Sequence, residues 1–403
     1  MAKHFKQRKT RIINAGTEIK TEMEIVAKPK SKVGVWTVVR RTLLVLLTVI
    51  LMVVVTLFSA GMMLAHGPSE TVCRMLVISA KQASATKWLP SLFLSSERIE
   101  SIMKDSENIN IDEVSEEDYG KDESFKEIEA DENGLKLIFF TKPLFKGYML
   151  IVEDPSRVKV GISTENFSSA QRGARIFDIA DKYGCVAAIN GGEFADVGGQ
   201  GTGAQPMGIT FSFGKKVWSD SHKRTFIGFN DENKLICTEG MTEKKAKELG
   251  IRDGVSFQNG NVLIDSEDGT VKLYYADNNT GTSQRTAIGQ RKDGTVLMLV
   301  TDGRSGDSLG ATRNDVIDIM ASYGAVSAGM LDGGSSALLY YRNYFDIYDV
   351  DKSTLDKYQL QGLVNRYKAF VPPRTMPTYF IVAEAADAET ATAEATTEEA
   401  GEE

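Results

Sequence analysis

The strongest single constraint on this chain is the stretch from Leu43 to Ala65, 23 residues without a charge. A run of that length crosses a bilayer as a helix, because only a helix or a closed barrel satisfies its own backbone polar groups in lipid. Arg40 and Arg41 flank its N-terminal side, and residues 1–41 carry eleven Lys or Arg against three Glu. The positive-inside rule then keeps that tail in the cytoplasm and sends everything after the span outside the cell membrane. A cleaved signal peptide has a shorter apolar region nearer the N-terminus. An uncleaved single-pass anchor is therefore expected.

The span orders the rest of the chain. Residues 1–41 read as a basic cytoplasmic tail, 42–65 as the transmembrane helix, and 66–134 as a juxtamembrane helical segment with an acidic linker. In that segment Met75–Ile78 and Trp88–Leu94 suit short amphipathic helices, and residues 105–132 suit a solvated linker. Residues 135–382 read as one folded domain. Residues 383–403, rich in Ala, Thr and Glu with no basic residue, read as a disordered acidic tail.

Composition excludes several kinds of chemistry. The net charge of -8 argues against general nucleic-acid binding. Only His4, His66 and His222 occur, so a multi-histidine zinc site is excluded. Cys73, Cys185 and Cys237 are too few for a disulfide framework. A Cys185–Cys237 pair and two buried thiols both remain open.

Within 135–382, short apolar runs alternate with turn residues. Leu135–Thr141, Tyr148–Val152, Arg157–Ile162, Cys185–Ile189, Met207–Phe213, Phe226–Phe229, Lys234–Cys237, Val255–Phe257, Asn261–Ile264 and Thr378–Val382 read as strands. Helices are expected over 174–183, 242–249 and 312–323. In the last, Thr312 is a candidate N-cap with Asp315 in the first turn. Ala287–Gly289 and Val296–Val300 flank Asp293-Gly294, a hairpin signal. The pattern predicts an α+β fold: a mainly antiparallel sheet core with a few packed helices, preceded by one N-terminal transmembrane helix.

Four loops gather the residues able to do chemistry: Asn190-Gly191-Gly192-Glu193-Phe194, Gln284-Arg285-Thr286, Asp302-Gly303-Arg304 and Asp332-Gly333-Gly334-Ser335-Ser336. Asp302 and Asp332 each sit where an apolar run meets a loop, a usual location for chemistry. Glu193, Asp302 and Asp332 are of the type used as acid, base or nucleophile in glycoside cleavage. Arg285 and Arg304 can grip a phosphate with paired donors. The amides of Gly191, Gly192, Gly333 and Gly334 can approach anionic oxygens. Asp-Gly and Gly-Gly are turn formers first, so the signal lies in the ordered set. A hard cation such as calcium could sit among carboxylates and carbonyls, although no EF-hand spacing is present.

At these loops the chain resembles the phosphodiester glycosidases, relatives of an enzyme that removes N-acetylglucosamine from a mannose phosphodiester. The resemblance rests on Ala187–Phe194, Gln284–Gly289 with the hairpin to Val300–Arg304, and Gly324–Val326 leading to Leu331–Ser336. Asn365-Arg366 and Pro372–Val382 resemble the family's closing strand. It implies an extracytoplasmic hydrolase that splits sugar-1-phosphodiesters and leaves a phosphomonoester. Asn190, Arg285, Asp302, Arg304 and Asp332 are the site residues by motif position. The chain departs from the pattern at Glu193, where an aromatic or small residue is common, and in lacking a third glycine before Ser335. The anchor resembles the bacterial branch, whose substrates would be cell-wall or exopolysaccharide phosphodiesters. Two other readings fit the residues: an anchored protein that binds cell-wall glycopolymer without cleaving it, and a phosphodiesterase that releases sugar phosphate.

Overall fold

A computed structural model describes residues 9–10, 23–24, 34–82, 86–105, 109–117, 119–120, 128–196, 202–277, 281–303, 305, 308–367 and 371–385. Contacts divide the chain into residues 1–63 and 64–403. In the first unit β1 (Lys9–Thr10) pairs with β2 (Met23–Glu24). The helix α1 (Val35–His66) spans 32 residues, about 48 Å at helical rise. It is long and apolar enough to cross a membrane. Its large apolar side chains from Val35 to Phe58 are exposed, so it is not a core helix of a soluble fold.

The second unit opens with two helices, α2 (Glu70–Gln82) and α3 (Ser96–Asp105). They bury Cys73, Val77, Ile78, Ile99 and Ile102 against each other. Arg74 links them by pairing with Glu70 at 3.1 Å and with Asp105 at 3.0 Å.

Three antiparallel sheets follow. The largest contains β3 (Ile109–Ser115), β4 (Leu135–Lys142), β5 (Phe145–Val152), β13 (Val262–Glu267), β14 (Thr270–Ala276), β15 (Thr286–Arg291), β16 (Val296–Thr301) and β17 (Ala325–Met330). Its order is β3-β14-β13-β17-β15-β16-β5-β4. A four-stranded sheet, β18-β7-β19-β6, contains β6 (Val158–Ile162), β7 (Ala187–Asn190), β18 (Leu339–Tyr341) and β19 (Thr378–Val382). A five-stranded sheet, β11-β10-β12-β8-β9, contains β8 (Ile209–Ser212), β9 (Lys215–Ser219), β10 (Thr225–Asn230), β11 (Leu235–Glu239) and β12 (Ile251–Phe257). The α+β architecture with an antiparallel core is thus as the pattern predicts.

One core lies where the sheets meet. Met149, Leu150, Ile151 and Val152 of β5, Val296–Val300 of β16 and Ile288 of β15 are essentially inaccessible. They share this core with Val160 of β6, Ile189 of β7, Phe229 of β10 and Phe380 of β19. Each such side chain contributes on the order of 1.5–3 kcal/mol by leaving water. Strands buried on both faces lose strict alternation, which is why these runs are continuous in sequence.

Four further helices pack on the sheets: α4 (Ile176–Tyr183), α5 (Glu243–Glu248), α6 (Arg313–Ser322) and the single turn α7 (Tyr344–Ile347). α4 stops at Gly184, whose φ of 59° lies in the left-handed region that side chains disfavour. α6 starts with the expected box: the Asp315 amide donates to the Thr312 hydroxyl at 3.1 Å, and the Thr312 amide donates back to Asp315 at 2.7 Å.

The acidic stretch 105–132 departs from a plain solvated linker. Its residues Ile109–Ser115 form β3, the outer strand of the large sheet, paired in register with β14. The side chains stay mostly exposed, so the acidic composition reflects an edge facing solvent, as charged edges commonly do. Cys185 and Cys237 are both buried free thiols, which removes the disulfide alternative. The tail from 386 lies outside the described residues.

Candidate active site

Antiparallel pairing brings the sequence loops together. β15 pairs with β16 on one side and β17 on the other, with Thr286 opposite Val300 and Ala287 opposite Met330. The start of β15 therefore lies beside the ends of β16 and β17, where Asp302 and Asp332 follow. These two strand ends are two strand spacings apart, about 10 Å. The backbone closes the frame: the Thr301 amide donates to Arg285 O at 2.9 Å, and the Leu331 amide to Thr286 O at 2.8 Å.

Asn190 at the end of β7 joins the smaller sheet to this edge. Its Nδ2 donates to Asp332 O at 2.6 Å. Its Oδ1 accepts from the Thr286 hydroxyl at 2.8 Å and from the Leu338 amide at 3.1 Å. The side chain is fully buried. Asn190 and Thr286 thus hold the Asp332 turn in place. The Asp332 amide also donates to Gly191 O at 3.3 Å.

Asp302 is buried, with both carboxyl oxygens held by neutral donors. The Tyr148 hydroxyl donates to Oδ2 at 2.9 Å and the Arg366 amide to Oδ1 at 3.1 Å. Burial pushes its pKa up to about 6, against the pull of these two donors and of the Arg366 and Lys146 charges. Asp332 is raised to about 6 as well, again first by burial. The Ser336 hydroxyl and Arg374 pull it down, and the negative charge of Glu193 pushes it up.

Several expected roles fall differently. The Arg285 guanidinium is spent on backbone carbonyls, donating from Nε to Ala311 O at 3.1 Å and from Nη2 to Gly281 O at 2.5 Å. It braces the loop before β15, which also touches Ser79 of α2 at Gly281. The glycine amides are used internally too. Gly191 N donates to Thr378 O at 3.0 Å, Gly192 N to the Thr378 hydroxyl at 3.3 Å, and Gly334 N to Gln284 O at 2.9 Å. The Gly333 amide serves the Asp332 carboxylate itself. These glycines are needed for close approach: a Cβ on Gly192 would collide with the Ser256 carbonyl. Glu193 pairs with Arg224 at 2.6 Å, and Gln258 reaches its other oxygen at 3.4 Å. The Ser335 carbonyl accepts from the Tyr367 hydroxyl at 2.9 Å. Arg304 lies outside the described residues. Among the described residues no group of three or more His, Cys, Asp or Glu side chains gathers to hold a metal ion.

Sequence reading alone missed Tyr148, Lys146, Arg224 and Arg374. Arg374 pairs with Asp196 at 3.2 Å and lies 5.5 Å from the centre of the Phe194 ring. Only Arg366 carried a signal, through Asn365-Arg366. Asn365 is buried and holds the strand after the Asp332 turn, accepting from Leu339 N at 2.8 Å.

Two carboxyls raised toward neutral pH thus sit at strand ends on either side of β15, over tightly tied glycine turns. Residues 183–383 match the model of the phosphodiester glycosidase family, which supports a hydrolase of the phosphodiester glycosidase type. A 53-residue segment, 13% of the chain, is 47% identical to the SPbeta prophage-derived uncharacterized protein YomE of Bacillus subtilis (strain 168). That match spans only 8% of the YomE chain. Among solved structures, the zebrafish N-acetylglucosamine-1-phosphodiester alpha-N-acetylglucosaminidase catalytic domain, auto-inhibited by its pro-peptide, is 19% identical. The match covers 68% of this chain and 88% of that one, with a TM-score of 0.47. A hypothetical protein from Synechocystis is 14% identical over 61% of this chain and 62% of its own, with a TM-score of 0.42.

Proposed function

We propose that this chain is a membrane-anchored, extracytoplasmic hydrolase that cleaves the glycosidic bond of sugar-1-phosphodiesters in cell-wall or exopolysaccharide polymers. The observation that carries this reading is the placement of Asp302 and Asp332, both raised to about 6, at ends of strands flanking β15. A carboxyl with a pKa near the working pH can give and take a proton within one turnover. Water attacks the anomeric carbon, the bond from that carbon to the phosphate oxygen breaks, and its electron pair leaves on the phosphomonoester. The water proton passes to one of the two carboxylates.

Asp302 and Asp332 are the groups assigned to this chemistry. Glu193, paired with Arg224, adds its negative charge to the burial that raises the proton affinity of Asp332. Asn190, Thr286 and the glycine turns are positioning residues. Ser335 and Ser336 line the same turn. The α1 helix holds the domain at the membrane with the N-terminus in the cytoplasm.

The test is direct. The full chain in nanodiscs is incubated with UDP-N-acetylglucosamine, and products are resolved with and without chelator. Free sugar plus UDP supports the proposal. Sugar phosphate instead would make the protein a phosphodiesterase. Binding of wall polymer without turnover of any sugar phosphodiester would make it a binding protein.

A further inference from the structure

The apolar span has a definite end. Leu43–Ala65 carries no charge and measures about 35 Å as a helix, against about 30 Å of hydrocarbon in a bilayer. With Arg40 and Arg41 held among the inner headgroups, Ala65 reaches the outer edge of the hydrocarbon and His66 stands among the outer headgroups. His66 belongs to the same unit as the α2–α3 hairpin. Its Nε2 lies 2.9 Å from the Phe93 carbonyl, a hydrogen bond across 27 residues. Phe93 closes a 3₁₀ turn, Leu89–Leu92. The turn is tied to α2 as well, through the Thr86 hydroxyl, which donates to Ala80 O at 3.0 Å.

This turn turns apolar surface outward. Trp88 is 60% exposed and Leu92 54%, while the hairpin fills its own core with Cys73, Val77, Ile78, Ile99 and Ile102. Lys87, beside Trp88, is exposed too. We propose that the Trp88–Phe93 turn is a second membrane contact, lying in the outer headgroup layer with Trp88 and Leu92 dipped toward the acyl chains. This rests on the anchored reading above and is independent of the chemistry assigned to Asp302 and Asp332.

The occupant follows from continuity with the span. A hydrogen bond joins the turn to the residue that leaves the bilayer, so lipid headgroups already surround that place. At about 2.0 Å per residue, Trp88 lies only about 10 Å along the turn from Phe93. An indole suits this layer because its ring is apolar and its N–H polar. The Lys87 ammonium is placed to meet lipid phosphates. The contact also reaches the loop that opens β15. Gly281 lies so close to α2 that a Cβ would come within 2.3 Å of the Ser79 hydroxyl oxygen, and Gly281 O accepts from Arg285 Nη2 at 2.5 Å. Lipid contact at the turn therefore steadies the helix that backs the Arg285 loop.

The test uses the full chain in nanodiscs of phosphatidylcholine and phosphatidylglycerol, some of the lipid carrying a nitroxide high on the acyl chain. The chain has three tryptophans, Trp36, Trp88 and Trp218. Comparison with Trp88→Phe isolates the emission of Trp88, and comparison with Trp36→Phe isolates that of Trp36 on the anchor helix. The nitroxide should lower Trp88 emission about twofold or more, and Leu92→Asp should remove most of that quenching. Quenching of Trp36 with Trp88 untouched overturns the second contact and leaves the anchor standing. Quenching of neither overturns both. Trp88 shielded from aqueous iodide yet untouched by the lipid label would assign the surface to a protein partner, which also overturns the proposal.

Discussion

The eight-stranded sheet has two ends, and they handle charge in different ways. At the end where β16 and β17 finish, Asp302 is buried among neutral donors, and its pKa sits near 6. At the other end, where β15 finishes and β17 begins, a hollow of about 330 Å³ is lined by Glu116, Tyr119, Arg291, Lys292 and Asp293. Every charge there has an opposite one close by. Lys292 pairs with Glu116 at 2.6 Å and Arg291 with Asp293 at 3.2 Å. Arg291 Nη1 also donates to Tyr323 O at 2.7 Å. A hollow alone does not make a site. What marks the first end is charge held out of water without full compensation, the usual signature of groups kept ready to exchange protons.

The hardest test of this contrast removes the carboxyls. Asp302→Asn and Asp332→Asn should each lower kcat/KM by about 10³-fold or more. Stability should move the other way. A folded-state pKa raised from 3.8 to about 6 means that the ionised carboxyl opposes folding above pH 6 and ceases to do so as pH falls below about 4. Asp302→Asn should therefore raise the melting temperature at pH 7.5, with a ceiling of about 3 kcal/mol, and the gain should vanish by pH 4. Unfolding of either variant at pH 7.5 would make these carboxyls structural and erase the difference between the two ends.

Asn190→Ala comes next. It strands the Thr286 hydroxyl, the Leu338 amide and the Asp332 carbonyl in a fully buried place. A loss of about 2–4 kcal/mol is expected, read as a drop in urea midpoint. Activity should fall with it, since the Asp332 turn loses its tether. An unchanged midpoint would show that the turn is held by its backbone bonds alone.

How far the sequence foretold this site depends on the range of the interactions. The hairpin at Asp293-Gly294, the α6 cap at Thr312 and the strand-to-loop positions of Asp302 and Asp332 are local patterns, and all were legible. The partners of Asp302 were not. Lys146 and Tyr148 lie in a strand more than a hundred residues earlier, and only the β5-β16 pairing, Val300 opposite Tyr148, brings them there. The glycine amides show the same limit from the other side. Sequence reveals that a glycine turn can offer donors, but not that Thr378 and Gln284 already accept them. The acidic composition of residues 109–115 likewise hid β3, because an exposed edge strand needs no apolar face.

Tyr148→Phe sharpens the comparison at a single hydrogen bond. The hydroxyl donates to Asp302 and holds its pKa down against burial. Without it, the pKa of Asp302 should rise further. If Asp302 works as the carboxylate, the acidic limb of the kcat/KM profile shifts to higher pH. The loss at the optimum should be about tenfold. A shift with little change at the optimum assigns Tyr148 a tuning role. An unchanged profile would mean that the hydroxyl serves packing only.

The smallest effect is expected at the opposite end, and it is the control that gives the others meaning. Lys292→Ala breaks an ion pair between an exposed lysine and the half-buried Glu116, and a pair with one partner in water adds little to stability because water and salt screen it. Neither the melting temperature nor kcat/KM should change measurably, and added salt should make no difference between variant and wild type. Lys292 stands on the turn that closes the β15–β16 hairpin, whose two strands run straight to Arg285 and Asp302. A fall in turnover without a fall in stability would therefore show that the two ends are coupled along the hairpin, and that the hollow around Arg291 belongs to the working machinery.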